Sequence, residues 1–197
     1  MKNIYFTLLL LFFTTFSFSQ VAVINEFDSD TPGTDLKEFI EIKTATPNFN
    51  LNGYVLVFFN GSDAKSYLRY DLDAYTSDNN GILTIGNNAV SPLPDYNLPD
   101  NSLQNGPDGV AIYSGNGINF PTGTLASTTN LLSALVYDTN DADATILMNA
   151  LGVTVQYNEK QNGNGSIESI QRKADGTYEV KAPTPSANND GSGQVFN

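Results

Sequence analysis

Cysteine, histidine and tryptophan are all missing from the 197-residue sequence. Without cysteine there is no disulfide, thiolate nucleophile, zinc–thiolate cluster or iron–sulfur site, and no lipoprotein acylation. Without histidine there is no Ser-His-Asp or Cys-His machinery, haem ligand or imidazole-bound zinc. Positive charge is scarce as well: nine Lys+Arg stand against twenty-one Asp+Glu, a net charge of −12. Such a chain repels phosphate backbones, which are bound through several Lys/Arg contacts, so direct nucleic-acid binding is disfavoured. What the composition leaves open is carboxylate chemistry, as acid/base pairs or as oxygen ligands for a hard cation.

Asn (24), Asp (15) and Gly (16) are abundant. They mark a turn-rich β domain rather than a helical bundle. Met1–Ser19 reads as a secretory signal peptide. Lys2 supplies the positive start, Leu8–Phe13 the apolar centre, and Ser17 and Ser19 the small residues before a cut. Thr14, Thr15 and Ser17 interrupt the run, which is too short for a transmembrane anchor. The expected product is therefore a secreted, extracellular or periplasmic domain over residues 20–189, with a flexible tail over 190–197. No membrane span is expected in the mature chain.

Short β-type runs separated by turn residues are expected over Val21–Glu26, Glu38–Lys43, Tyr54–Phe59, Ser66–Asp71, Ile82–Gly86, Gly109–Tyr113, Leu132–Tyr137, Ile167–Gln171 and Thr177–Val180. Ile40 and Ile42 flank Glu41, the alternation of a sheet buried on one face. Adjacent Phe58 and Phe59 should point to opposite faces, as should Tyr67 and Tyr70, so one of each pair meets a second layer or solvent. Ala144–Leu151 departs from the rhythm and predicts one short inserted helix, stopped by Gly152 and N-capped by Asp141 or Asp143. Asn87–Asn105 should be a surface loop packed by Leu93, Tyr96, Leu98 and Leu103, and the stretch after Lys181 extended.

Several blocks then occur in order. They are Val23-Ile24-Asn25-Glu26-Phe27, Thr31-Pro32-Gly33-Thr34-Asp35, Glu38-Phe39-Ile40-Glu41-Ile42 and Leu51-Asn52-Gly53-Tyr54. Leu103–Tyr113, Val136–Asp143, Ser169–Arg172 and Pro183-Thr184-Pro185-Ser186-Ala187-Asn188 follow. Together they resemble the lamin-tail domain in its bacterial secreted form, over nearly the whole mature chain. The resemblance implies an all-β, immunoglobulin-like β-sandwich. Bacterial members often accompany extracellular nuclease domains; no such neighbour is expected within these 197 residues, which lack the histidine such nucleases use, so nuclease activity is not expected to carry over.

Two acidic clusters are candidate metal sites. Asp28, Asp30 and Asp35 could supply oxygens to calcium, the one candidate cofactor. The spacing is not an EF-hand, because Phe39 falls where a bidentate Glu is needed. The alternative is an Asx-type turn in which Asp28 and Asp30 accept backbone N–H groups around Pro32-Gly33. Asp138, Asp141 and Asp143 form a second, weaker cluster, which helix capping also explains. Glu38 and Glu41, three apart on a strand, cannot form a glycosidase pair on one face. The sequence thus favours a non-catalytic interaction or adhesion module that engages a protein or extracellular polymer. The alternative is a calcium-dependent secreted hydrolase, or an accessory subunit of an extracellular nuclease.

Overall fold

A computed structural model of the chain describes residues 20–189. Met1–Ser19, the expected signal peptide, and Asp190–Asn197, the expected flexible tail, lie outside the described residues.

Eleven strands are present among them: β1 (Ala22–Asp28), β2 (Phe39–Thr44), β3 (Tyr54–Asn60), β4 (Lys65–Asp71), β5 (Ile82–Gly86), β6 (Tyr96–Asn97), β7 (Asp108–Ser114), β8 (Leu131–Asp138), β9 (Gln156–Asn158), β10 (Ser169–Arg172) and β11 (Tyr178–Lys181). One helix, α1 (Thr145–Leu151), lies between β8 and β9. The strands make two sheets, β11-β10-β1-β2-β5-β6 and β4-β3-β7-β8-β9. Pairing is antiparallel except for β5–β6 and β8–β9. The architecture is an all-β sandwich with one short helix. No helix among the described residues is long and apolar enough to cross a membrane.

The main core lies between the sheets and includes Ile24, Phe27, Ile40, Ile42, Leu56, Phe58, Ile112, Leu135, Tyr137 and Ile170. Phe27 and Tyr137 meet at its centre, ring centroids 4.2 Å apart. The opposite face of the five-stranded sheet buries a second cluster, in which Val55, Val57, Phe59 and Tyr113 pack with Leu147, Met148 and Leu151 of α1. Phe58 and Phe59 therefore divide between two packed layers, as strand alternation requires.

Tyr67 and Tyr70 do not divide in this way. Both approach Phe58, with ring centroids 6.1 and 6.3 Å away. A bulge is the cause: β3 advances one residue, Phe58 to Phe59, while β4 advances two, Leu68 to Ser66. Tyr67 is the extra residue, and the bulge re-aims it.

The expectation of a sheet buried on one face also fails for the six-stranded sheet. Every residue of β2 is buried, Glu41 included. The reason is the segment after β11, which runs back across the outer face of this sheet. The Asn87–Asn105 loop carries the two-residue strand β6. Leu98 and Leu103 are buried as expected, but Leu93 is 71% exposed.

Helix α1 starts one residue later than the sequence suggests, and neither Asp141 nor Asp143 caps it. Its N-cap is Ala144, which makes no side-chain capping bond; the Ala144 N–H donates instead to Gln156 Oε1 at 2.8 Å. Glutamine reaches this position from β9, an element without a sequence signal. The other end is as expected. Gly152 adopts φ +68°, the left-handed conformation a glycine takes without strain, and stops the helix.

Candidate functional site

The most distinctive chemistry in the fold is a transverse row of buried polar side chains on the outer face of the six-stranded sheet. Gln171, Glu26, Glu41 and Thr84 sit opposite one another in register on β10, β1, β2 and β5. All four are at most 1% exposed. The cover is the strap Ala182–Asn189. Pro183 and Pro185 have no N–H, so the strap's donors in this stretch are Thr184 and Ser186. Both point down at carboxylates. Thr184 N and Oγ1 donate to Glu26 Oε1 and Oε2, each at 2.7 Å, and Ser186 N donates to Glu41 Oε1.

The sheet supplies the remaining donors. Ser169 Oγ and Gln171 Nε2 donate to Glu26 Oε1 at 2.6 and 3.2 Å. Asn25 Nδ2 and Thr84 Oγ1 donate to Glu41 at 3.0 and 3.2 Å. Asn189 closes the strap by donating to the carbonyls of Asn25 and Arg172. Burial raises the Glu26 carboxyl above its ordinary value against these hydrogen bonds. Burial, followed by the charge of Glu26, pushes Glu41 up to about 8.

Two register positions along, Asp28 stands opposite Phe39 on β2 and has Glu159 as its carboxyl neighbour. Glu159 is completely buried, and its two oxygens accept from Ser29 N at 3.1 Å and Ser29 Oγ at 2.7 Å. Asp28 Oδ1 is buried without a donor from the described residues. Only a shared proton can bridge the two carboxyls. Burial, then the Glu159 charge, hold the Asp28 carboxyl well above its usual range. Burial carries Glu159 to about 8.

These contacts place the sequence's candidate ligands. Asp28 faces Glu159; Asp30 pairs with Lys160 Nζ at 2.7 Å; Asp35 Oδ1 accepts from Thr31 N at 2.8 Å. The turn is therefore closed by Asp35, rather than by backbone bonds to Asp28 and Asp30. In the second cluster, Asp138 Oδ1 accepts from the N–H groups of Asn140 and Asp141, and Oδ2 from Gln156 Nε2 at 2.9 Å. Asp143 lies apart, on the wall of a 430 Å³ recess shared with Asn60, Gln104, Pro107 and Ile146. Among the described residues no group of three Asp, Glu, His or Cys side chains is placed to hold a metal ion.

Sequence reasoning missed Glu159 and the shared role of Glu26 and Glu41. Glu159 follows a three-residue strand with no periodic signal. The Glu26–Glu41 pairing depends on a bulge between Ile24 and Glu26, which shifts the β1–β2 register. Glu38 and Glu41 indeed share no site: Glu38 accepts the N–H groups of Ser102 and Leu103 at 2.9 and 3.0 Å, and burial raises it to about 7.

Neither a protein-family model, nor a curated protein, nor a solved structure matches the chain.

Proposed function

We propose that the chain is a secreted, non-catalytic interaction module of immunoglobulin-like, lamin-tail type that engages a protein or an extracellular polymer. One observation carries the reading: the carboxylates, the reactive groups this composition retains, are tied into the fold. Glu26 and Glu41 anchor the strap, Glu38 holds the loop at Ser102–Leu103, and Asp138 organises the turn before α1. A carboxylate that bridges backbone segments contributes to folding and is not free to attack or protonate a substrate. The Asn87–Asn105 loop, with Leu93 projecting from it, is the contact surface of this reading.

The test has two arms. The immobilised mature domain, residues 20–197, should retain a specific partner from a secreted or cell-surface fraction, with loss of capture in Leu93→Asp. The same preparation should show no turnover of DNA or of ester substrates with calcium or with EDTA. Metal-dependent cleavage abolished by Asp28→Asn would replace the module with a hydrolase.

A further inference from the structure

Lys43 stands on the outer face of the six-stranded sheet, two residues after Glu41 on β2. It is only 9% exposed, and no ion pair among the described residues includes it. A buried ammonium is costly unless a carboxylate lies against it. The hydrogen bond of Lys43 goes instead to a neutral group of the strap: Nζ donates to Asn188 Oδ1 at 2.6 Å.

The two carboxyls whose charges act on Lys43 are Asp78 and Glu41. Asp78 Oδ1 is taken up by the N–H groups of Asn80 and Ile82. Glu41 keeps its proton up to about 8 and below that offers little counter-charge. Burial accordingly lowers the Lys43 amine below its ordinary value, against the opposing pull of these two acids.

An amine that gives up its proton beside a carboxamide is a nucleophile held against an acyl carbon. The bond to Oδ1 brings Nζ within reach of Asn188 Cγ, one covalent bond further on. The fold makes this contact between positions 145 residues apart, so a chance encounter is replaced by positioning. The strap is fixed on both sides of Asn188. Ser186 N donates to Glu41, and Asn189 Nδ2 donates to the carbonyls of Asn25 and Arg172.

We propose that Lys43 and Asn188 join in an intramolecular isopeptide bond that fastens the strap to β2. Lys43 Nζ gives one proton to Asp78 or water and bonds Cγ of Asn188. The Cγ–Nδ2 bond breaks, a second proton passes from Nζ to Nδ2, and ammonia leaves. No oxidant, reductant or cofactor is needed. Asn188 is itself exposed, so the ammonia departs directly into solvent. The product is a neutral amide, which removes the buried cation. The inference stands on this contact and does not require the interaction-module reading.

The test is tryptic peptide mapping of the purified protein by mass spectrometry. Trypsin does not cut after an acylated lysine, so residues 38–65 and 182–197 should appear as one branched peptide. Its mass should lie about 17 Da below the sum of its two parts, the loss of one ammonia. Fragmentation should place the junction at Lys43 and Asn188. Cleavage after Lys43, with a separate 182–197 peptide of full mass, overturns the bond. The unsubstituted chain decides this, so no variant has to fold.

Lys43→Arg, which keeps the charge but brings a poor nucleophile, should release the two parts, as should Asn188→Ala. A branched peptide that persists in Asn188→Ala moves the junction to another residue and overturns the site. Intact mass does not replace the map, because an N-terminal Gln20 would also lose ammonia by cyclising on its own amine.

Discussion

Glu26 on β1 and Glu41 on β2 stand directly opposite each other, both fully buried and both held by N–H groups of the same eight-residue strap. Like charges in opposed positions destabilise a sheet. The arrangement persists because seven donors converge on the pair and because burial favours the protonated form. The strap and the carboxylates are thus mutually dependent. Without the strap the acids would face water, and without the acids its N–H groups would lack partners.

This dependence makes stability fall with rising pH. A carboxyl whose folded-state pKa is raised binds its proton more tightly when folded, so its contribution is complete below its ordinary value and disappears as pH climbs through the folded one. For Glu41 that window runs from 4.5 to about 8, and Glu159 (about 8) and Glu38 (about 7) act with the same sign. Tm should drop by on the order of 5–10 °C between pH 5 and pH 8 and then level off. Glu41→Gln should make the slope shallower whatever its effect on absolute Tm. An unchanged slope in differential scanning calorimetry would exclude Glu41 as a contributor.

The strap's own donors give a second, local prediction. Thr184→Val keeps the shape of the side chain but removes the hydroxyl from Glu26 Oε2, leaving a buried acceptor short of a partner. A loss of about 1–3 kcal/mol is expected in urea unfolding. Hydrogen exchange at the Thr184 and Ser186 amides should accelerate in the same variant, because their acceptors lie next to each other in the row.

Much of the fold was legible in the sequence because strands and turns are written locally. Ile82–Gly86 appears with the expected ends, and Phe58 and Phe59 face the two layers that alternation assigns them. What escaped depends on register and on segments far apart in the chain. Tyr67 joins Tyr70 beside Phe58 because a bulge, which no residue type announces, inserts it. Glu41 looked like the wet face of a strand because its cover comes 145 residues later, at Ser186. The candidate site was legible in part: Asp28 was singled out, but its partner Glu159 lies 131 positions away, so the sequence offered a turn or a calcium ligand where a carboxyl pair is present.

Capping of α1 discriminates between local and distant control. Gln156→Ala should cost about 1–3 kcal/mol, because it frees the Ala144 N–H and strips a donor from the buried Asp138 Oδ2. Asp141→Ala and Asp143→Ala, both exposed, should leave stability within about 0.5 kcal/mol of the parent. Chemical denaturation of the three variants in one buffer provides the comparison. A larger loss in Asp143→Ala than in Gln156→Ala would restore the side-chain cap expected from sequence.

Calcium provides the last test, and geometry sets the expectation. Calcium takes roughly 6–8 oxygen ligands and draws them from side chains that point at a common centre. Asp28, Asp30 and Asp35 point at Glu159, Lys160 and the Thr31 N–H respectively, so collecting them would break an ion pair and open a turn. A ligand that binds only the folded state adds about 2.7 kcal/mol at roughly 100-fold excess over Kd, a Tm rise of several degrees for a domain of this size. Millimolar calcium against EDTA should therefore leave Tm within about 1 °C at pH 7. A rise of several degrees that disappears in Asp30→Asn would show that the Lys160 ion pair yields to a metal, and would make the acidic loop a calcium site.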